Sequence, residues 1–491
     1  MDTLTGEKRP LRAELWRTEY PYGSFTHGKA LRLLGIRHLQ AFILFLCMAV
    51  NYLMRVNIST AIVMMTAVGT SSDQPVFDWS MVQQSTIMSS FHIGYLIMNL
   101  GASVLVTKFQ NKSLLFMCVA SSSIVTLAAP ILVISGGFYV LLALRILLGL
   151  LQGPLMAVVM GQLSRWIPPN ERSRCGSLVL GGINFGNMIS FGISGWIGDS
   201  FGWPSIFYFS GCTGVIWSIL WAILAADSPK SCWLISEDEK AFIEEELILT
   251  SEIAKDKKIP WRGLFSNTAC WALLLTTVGH NWGNWTLLNE MPSYFNSILH
   301  LDSTANGLIT ALPHGCLWLF SFFSSYISDM LIKKRILSVG ACRKICNTIG
   351  QWGPAAALLI LSYTVDQTAV FIIYTIGVTL LGFVYIGYNI NHLDIVPSDA
   401  GFFMGITNGA STITSFGGTE FAGIIVTDPE NKLQWRIVFG VSAGIFFLSN
   451  LIFLTFGSGE VQAIEVDKSN KESNSGTPTI SVGTVVDVKD Q

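Results

Sequence analysis

The sequence predicts an all-α integral membrane protein with twelve transmembrane helices in two six-helix halves. Hydrophobic residues make up 51% of the 491 residues and charged residues only 13%, about half the charge of an average soluble domain. The chain contains roughly twelve apolar runs near the length of about 20 residues that crosses a bilayer. Because a helix satisfies its own backbone groups in lipid, each run should be α-helical.

One long polar stretch separates six runs from the other six. The predicted spans lie near residues 38–67, 82–106, 113–134, 138–162, 175–198, 203–226, 268–295, 304–330, 343–364, 369–393, 400–426 and 435–457. The predicted divisions are an N-terminal segment 1–37, a first half 38–226, a central loop 227–267, a second half 268–457 and a tail 458–491. The central loop is acidic, and we expect a solvated amphipathic helix there, with a regulatory docking site as the alternative.

Lysine and arginine are distributed asymmetrically among the connectors, and this predicts the orientation. One set of connectors holds 26 of the 30 Lys and Arg residues: the N-terminal segment, the loops near 107–112, 163–174, 227–267 and 331–344, and the tail. The opposite set holds only Lys432 and Arg436, while Arg55 and Arg145 are intramembrane. Both termini and the central loop are therefore expected in the cytoplasm.

The sequence lacks the patterns that would indicate an enzyme, a metal site or nucleic-acid binding. No GK[ST] phosphate loop or HExxH motif is present, and no basic tract accompanies the formal net charge of −2. The nine cysteines form no CxxC pair and are expected to be small buried hydrophobes. We expect no cofactor beyond a coupling ion, and the first span should remain as an anchor rather than act as a cleaved signal peptide.

Arg55 is the strongest candidate for binding a substrate. A charge inside a span costs about 2.5–3.5 kcal/mol on insertion scales, so it indicates a function. Asn51, Arg55 and Ser59 are spaced four apart and share one helix face, which is typical of a polar stripe along a watery cavity. The alternative is a structural arginine paired with a buried carboxylate. The binding of a small anion is the favoured interpretation.

Polar residues in the fourth and seventh spans are further candidates. Arg145 and Gln152 share a face of the fourth span, where Arg145 could instead lie at the interface. The seventh span contains His280, Asn284 and Glu290 among glycines, a pattern that favours a cavity-lining, interrupted helix. Glu290 could carry a proton or sodium, or simply lie in water at the end of its span.

The tenth span and three isolated residues complete the polar set. Tyr385, Tyr388, Asn389 and His392 follow helical spacing, and their face could donate hydrogen bonds to an anion or join neighbouring helices. The remaining intramembrane polar residues are His92, His314 and Glu420.

A weak internal repeat supports two related halves. Gly182 and Gly186 in the fifth span correspond to Gly405 and Gly409 in the eleventh, six spans later. Small residues four apart let helices approach closely. Six plus six parallel halves are the arrangement of major facilitator transporters.

Several segments together resemble one transporter family. They are residues 51–63, 165–173, 202–208, 280–283, 292–295, 391–395, 404–408 and 456–462. The first contains Asn-Tyr-Leu-Met-Arg-Val-Asn-Ile-Ser at 51–59. Over residues 38–465 the chain resembles the anion–cation symporter family of the major facilitator superfamily, which includes sialin, vesicular glutamate transporters and type I sodium–phosphate cotransporters. It looks most like the insect branch named "putative inorganic phosphate cotransporter".

The resemblance implies the major facilitator fold, transport rather than catalysis, and roles for single residues. Arg55 matches the substrate-binding arginine of the first helix, and Arg145 matches an arginine implicated in transport. Gln152 stands where the glutamate and sialate carriers have a proton-linked glutamate, and His280 where glutamate carriers have arginine. The loop 107–112 lacks the family's usual Glu-Lys pair and glycines.

These observations lead to one functional hypothesis and three alternatives. We expect a secondary active transporter of inorganic phosphate or an organic anion, with the anion bound by Arg55, Arg145, His280, Tyr388, Asn389 and His392. Sodium is the favoured coupling ion, with oxygen ligands from Asn51, Ser59, Gln152, Asn284 and Glu290. The alternatives are a proton-coupled exporter of lysosomes or vesicles, an anion channel, and a transport-dead scaffold.

The expected surroundings are a lipid bilayer and a small anion. The membrane is the plasma membrane or that of lysosomes or vesicles, and the oligomeric state is left open, with a monomer compatible.

Overall fold

The computed structural model describes residues 35–66, 75–251, 261–364, 366–396 and 400–462. Nearly all of the predicted N-terminal segment, part of the central loop and most of the predicted tail lie outside these ranges. The described residues form α-helices joined by short connectors. The helices are α1 Ile36–Thr66, α2 Met81–Lys108, α3 Asn111–Gln152, α4 Leu155–Trp166, α5 Pro169–Phe201, α6 Pro204–Leu224, α7 Glu237–Ser251, α8 Trp261–Ser266, α9 Thr268–Leu299, α10 Ser303–Lys333, α11 Val339–Tyr363, α12 Gln367–Leu380, α13 Tyr388–Ile395, α14 Ala400–Ile425 and α15 Lys432–Phe456.

Seven of the described helical stretches are both long enough and apolar enough to cross a membrane. They are Ile36–Thr66, Asn111–Trp166, Arg174–Phe201, Pro204–Leu224, Ser303–Lys333, Gln367–Ile395 and Lys432–Phe456. The stretch Asn111–Trp166 is 56 residues long, enough for two passes. The chain reverses between them at Gly137, where α3 bends sharply and φ is 58° and ψ is −141°. α2, α9, α11 and α14 have comparable lengths but carry more polar side chains. Together the described helices supply twelve passes.

Each half has its own buried apolar core. In the first half, two clusters of buried side chains join α1 to α3, α4, α5 and α6, with Trp166, Trp217 and Trp221 among the largest members. In the second half, one cluster joins α9, α11, α12, α14 and α15 around Phe295, Phe439 and Phe446. The exact predicted boundaries of the two halves stay a prediction.

The interruption predicted for the seventh span is found in the tenth span instead, so this prediction was wrong. α9 runs unbroken from Thr268 to Leu299. Its Gly279 and Gly283 serve close packing, since a β-carbon there would meet Ser449 at 2.5 Å and Phe446 at 2.2 Å. The tenth pass leaves α-geometry at Leu381–Tyr385, which is a 3₁₀ turn, and resumes as α13.

We call the side of the bundle where α1 begins and α15 ends the terminal face, and the other side the opposite face. At the terminal face, the side chain of Arg37 bonds Glu171 at 2.7 Å and Glu239 at 3.0 Å. The carboxylate of Glu239 also accepts hydrogen bonds from the backbone N–H groups of Ile36 and Arg37. The central-loop helix α7 is thereby attached to α1 and α5 of the first half.

The glycines of the internal repeat behave differently in the two halves. A β-carbon on Gly182 or Gly186 would lie 2.3 Å from a backbone oxygen of α1, so α5 and α1 make the predicted close approach. A β-carbon on Gly405 or Gly409 of α14 would meet nothing within 4 Å, so the expected close approach is absent there.

The surroundings of Gly405 and Gly409 also differ from those of Gly423 further along α14. Gly405 and Gly409 share a helix face with Gly423, where a β-carbon would lie 2.5 Å from Ser85 of α2. α2 and α14 therefore touch near the opposite face.

Candidate anion site

Arg55 lies in mid-α1 with 6% of its surface exposed. Its guanidinium carbon lies 4.5 Å from the ring centres of both Tyr52 and Phe91, 4.9 Å from Tyr95 and 5.9 Å from Trp285. We call these four rings the aromatic cage. The electron-rich ring faces attract a cation without neutralising its charge, so Arg55 is held in place and still available to an anion.

Arg145 lies directly beside Arg55. Its Nη2 donates to the backbone oxygen of Arg55 at 3.0 Å, and its guanidinium carbon lies 5.4 Å from the ring of Phe91. Gln152 accepts from Arg55 Nε through Oε1 at 3.3 Å. Within the described ranges, neither guanidinium has a carboxylate at ion-pair distance. Two buried positive charges therefore share one small volume without a protein counter-ion.

Several buried polar atoms around the two arginines lack a partner in the described part of the chain. They are Asn51 Nδ2 and Oδ1, Arg145 Nε and Gln152 Nε2. A buried donor without an acceptor costs about 1–3 kcal/mol, and the oxygens of a bound anion would remove that cost. The donor set fits a carboxylate or phosphate, which guanidinium groups grip at two points.

His92 adds a titratable nitrogen to this region. Its ring centre lies 4.6 Å from that of Trp285, and its Nδ1 lies 3.2 Å from the Ser89 carbonyl oxygen. Nδ1 must therefore carry hydrogen, which leaves the partnerless Nε2 an acceptor in the neutral ring and a donor in the charged ring.

The predicted substrate residues of the second half lie on α9 and α13. His280 packs on Tyr388, with ring centres 5.3 Å apart. His392 contacts the Asn389 carbonyl through Nδ1 and Thr407 of α14 through Nε2, both at 2.9 Å. No described hydrogen bond or ring contact joins these four residues to Arg55. His392 matches the interhelical alternative, whereas His280 Nδ1 is partnerless.

No described hydrogen bond joins the five predicted ion-coupling residues to one another. Gln152 accepts a hydrogen bond from Arg55, and Asn51 lies one helical turn before Arg55 on α1. Asn284 is half-buried on α9. Ser59 donates to Asn289 at 3.3 Å. Glu290 is fully buried and lies in a separate group of side chains nearer the opposite face.

That group closes the bundle at the opposite face. Ser85 donates to Glu290 Oε1 at 3.1 Å. Thr86 and Ser89 donate to the two carboxylate oxygens of Glu420 at 3.2 and 2.5 Å. We call these five residues the opposite-face gate. Each bond runs from α2 of the first half to α9 or α14 of the second, so the gate exists only while the two halves meet there.

Sequence reasoning did not identify the aromatic cage or the gate. Phe91 and Tyr95 are four apart on α2 beside His92, and this spacing was a usable signal. Trp285 and the pairing of Glu420 with α2 depend on contacts between helices distant in sequence, which have no local signature.

The whole chain was also compared with known proteins. The model of the family described as "Major Facilitator Superfamily" matches residues 44–419. The chain belongs to this superfamily. Its relatives place it in the anion–cation symporter group, whose members are transporters and not enzymes.

Three relatives illustrate the group. A Drosophila melanogaster protein named "Putative inorganic phosphate cotransporter" is 37% identical over 458 residues, covering 88% of this chain and 86% of its own. Human sialin is 32% identical, covering 87% and 90%. Zebrafish (Danio rerio) vesicular glutamate transporter 3 is 29% identical, covering 87% and 74%. The superfamily match and these relatives show a multi-pass membrane protein that transports anions.

Solved structures agree on the fold. An inward-facing, unoccupied bacterial homologue of the human lysosomal transporter Spinster aligns with a TM-score of 0.65 at 14% identity, covering 86% of this chain and 98% of that one. The D-xylose–proton symporter aligns with a TM-score of 0.62 at 13% identity, covering 85% and 97%. At such identity the likeness concerns the fold alone.

Proposed function

We propose that this protein is a sodium-coupled symporter that moves inorganic phosphate or a small organic anion by alternating access. The observation that carries the proposal is the pair of buried guanidiniums, Arg55 and Arg145, without a carboxylate partner. The name of the insect relative supports phosphate as the first anion to test.

The two arginines recognise the anion by charge and geometry. A guanidinium offers parallel N–H donors that match two oxygens of a phosphate or carboxylate. Arg145 already uses one nitrogen on the backbone of Arg55, so the pair is pre-organised. The buried side chains of Asn51 and Gln152 supply further donors.

Sodium is favoured over protons because the position linked to protons in relatives does not titrate here. Gln152 is an amide, and its oxygen is bound to Arg55. Sodium needs oxygen ligands, and the polar side chains of α2, α9 and α14 carry several hydroxyl and carboxylate oxygens.

Alternating access is supported by the bonds that join the two halves at the opposite face. In this conformation the opposite-face gate joins α2 of the first half to α9 and α14 of the second. Rocking of the halves would break the gate and close the terminal face, which exposes Arg55 to the other side.

The excess of lysine and arginine at the terminal face supports a cytoplasmic location for that face. The test uses the three glycosylation sequons, at Asn57, Asn111 and Asn284. Asn57 and Asn284 lie within spanning helices, and Asn111 begins α3 at the terminal face. The protein should run unshifted after endoglycosidase treatment, and a shift abolished by Asn111→Gln would reverse the orientation.

The function is tested by uptake into proteoliposomes. Purified full-length protein is supplied with labelled phosphate, glutamate, sialate and other anions, under a sodium gradient at equal pH or a pH gradient without sodium. We expect saturable uptake of phosphate or an organic anion that follows the sodium gradient.

The other outcomes identify the rival functions. Uptake that follows only the pH gradient indicates a proton-coupled carrier, and non-saturable flux indicates a channel. No flux from protein that binds no anion indicates a scaffold.

A further inference from the structure

We propose that Glu290 and Glu420 form the binding site of the coupling sodium ion, with hydroxyl ligands from α2. This inference rests on the proposed sodium coupling and gives it a location that the chain's sequence did not. It moves the ion site away from Asn51, Ser59, Gln152 and Asn284. Only Glu290 of the five predicted coupling residues is kept.

The first argument is the burial of an uncompensated carboxylate. Glu290 is 0% exposed, its Oε1 accepts one hydrogen bond from Ser85, and its buried Oε2 has no partner in the described residues. Among those residues no Lys, Arg or His makes an ion pair with it. A buried charge left without a partner is strongly unfavourable, so a cation or a proton must accompany this oxygen during the cycle.

The second argument is the convergence of oxygens around Glu290. Ser85 and Thr86, adjacent residues of α2, donate to Glu290 and Glu420, so the two carboxylates lie against the same turn of that helix. Ser85 and Ser89, one turn apart on α2, each bond one of these glutamates. Ser293, one turn beyond Glu290 on α9, has a buried hydroxyl without a partner.

These groups can coordinate a cation without breaking their present bonds. A hydroxyl that donates its hydrogen to a carboxylate keeps lone pairs that accept a cation. Carboxylate and hydroxyl oxygens are the ligands that hard cations prefer. The site offers six such residues, counting Thr86 and Ser293, and no nitrogen ligand among the described residues, which favours sodium over a transition metal.

The location explains how the ion would couple to the anion. Trp285 of the aromatic cage and Glu290 are five residues apart on α9, about 7.5 Å along the helix axis. Glu290 therefore lies about one and a half helical turns from the ring that contacts Arg55. An anion at Arg55 adds negative charge, which favours a cation at Glu290, and the reverse holds by linkage.

The site also explains why the ion would control the gate. Glu290 and Glu420 come from the second half, and Ser85, Thr86 and Ser89 come from the first. Sodium bound between them draws α2 toward α9 and α14 and so holds the opposite face closed. The complete ligand set exists only in that closed arrangement.

The test measures sodium binding without transport. Full-length protein in lipid nanodiscs is heated in sodium chloride or choline chloride at equal ionic strength, and tryptophan fluorescence gives the unfolding midpoint. Sodium should raise the wild-type unfolding midpoint. Glu290→Gln and Glu420→Gln should each raise the sodium concentration that gives half of this shift at least tenfold. The matched control is Glu430→Gln, an exposed carboxylate in the connector after α14, which should respond as wild type does.

A second readout separates an ion site from a structural role. In choline, Glu290→Gln should unfold at a higher temperature than wild type, because the amide removes an uncompensated buried charge. A variant that unfolds lower in choline, or an unchanged sodium response in both glutamine variants, would overturn the proposal. If neither variant can be purified, Ser293→Ala takes their place, with a several-fold weaker sodium response expected and an unchanged response counting against the site.

The outcomes also separate this inference from the proposed function. Sodium-driven uptake that persists in both glutamine variants leaves the function standing and refutes the site. Uptake driven only by a pH gradient and lost in Glu290→Gln refutes sodium as the ion.

Discussion

The two halves carry opposite intramembrane charges. The first half holds Arg55 and Arg145, caged by aromatic rings and close to Gln152. The second half holds Glu290 and Glu420, bonded only to hydroxyl groups of α2. Neither pair forms an ion pair within the described residues. This difference is the basis of the proposed division of labour, in which the first half binds the anion and the second half binds its coupling cation.

The largest effect expected in the first half comes from Arg55→Lys. Lysine keeps the charge but lacks the planar fork. Losing one charge-assisted hydrogen bond is worth about 1.5–3 kcal/mol, or tenfold or more in affinity. Phosphate binding and uptake in proteoliposomes should fall accordingly at normal expression.

The matched control is Arg436→Lys. Arg436 begins α15 at the opposite face, where it stacks on Tyr363 and bonds the Ser362 carbonyl. Its replacement should leave phosphate affinity unchanged. Equal affinities in Arg55→Lys and wild type would make Arg55 structural.

Gln152→Glu tests whether the first half works because it lacks a carboxylate. The new carboxylate would lie 3.3 Å or less from Arg55 Nε and would compete with the anion for it. Phosphate affinity measured at pH 7.5 should fall several-fold and recover as the pH is lowered and the glutamate is protonated. Gln162→Glu, at another buried glutamine that bonds the Ala226 carbonyl, controls for a buried charge elsewhere in the same half. An affinity that is independent of pH in Gln152→Glu would argue against competition.

These predictions also show what sequence could and could not provide. The spans and the first-helix arginine, with the anion-binding role proposed for it, follow from local hydropathy and the cost of a buried charge. The ring partners Phe91 and Trp285 come from α2 and α9, and no local pattern links them to Arg55. Glu420 reads as one more isolated polar residue until the fold places it against Ser89.

Glycine was the least informative signal. Gly279 and Gly283 suggested a broken helix, but they make room for Ser449 and Phe446. Gly405 and Gly409 suggested a close contact, but a β-carbon on either would meet nothing within 4 Å. A glycine permits close packing, bending and opening equally, and only its neighbours decide which occurs.

The smallest effect is expected at Glu171, a carboxylate that contrasts with Glu290 because it is paired. It precedes the apolar stretch of α5 that begins at Arg174. Hydrogen bonds from Arg37 lower the pKa of Glu171. A lowered carboxyl pKa adds stability that is present above the unfolded value, near 4.3, and lost as pH falls through the folded value.

Glu171→Gln should therefore lower the unfolding midpoint by about 1–3 °C at pH 7, as expected for a partly exposed pair worth up to about 1 kcal/mol. The difference from wild type should shrink as the pH falls below 4. The control is Glu237→Gln, whose side chain is 86% exposed and should show no difference at either pH. A Glu171→Gln deficit that is the same at both pH values would show that the pair is not the cause.

The central claim is that separate anion and cation sites in the two halves are coupled. The most direct measurement is the phosphate dissociation constant of purified protein in sodium chloride and in choline chloride at pH 7.5. At roughly 10 Å and an effective dielectric constant of about 20, two unit charges interact by about 1–2 kcal/mol. The account predicts phosphate binding about tenfold tighter in sodium for wild type, and equal affinities in the two salts for Glu290→Gln. Phosphate affinity that ignores sodium in wild type, or a full sodium effect in Glu290→Gln, would contradict it.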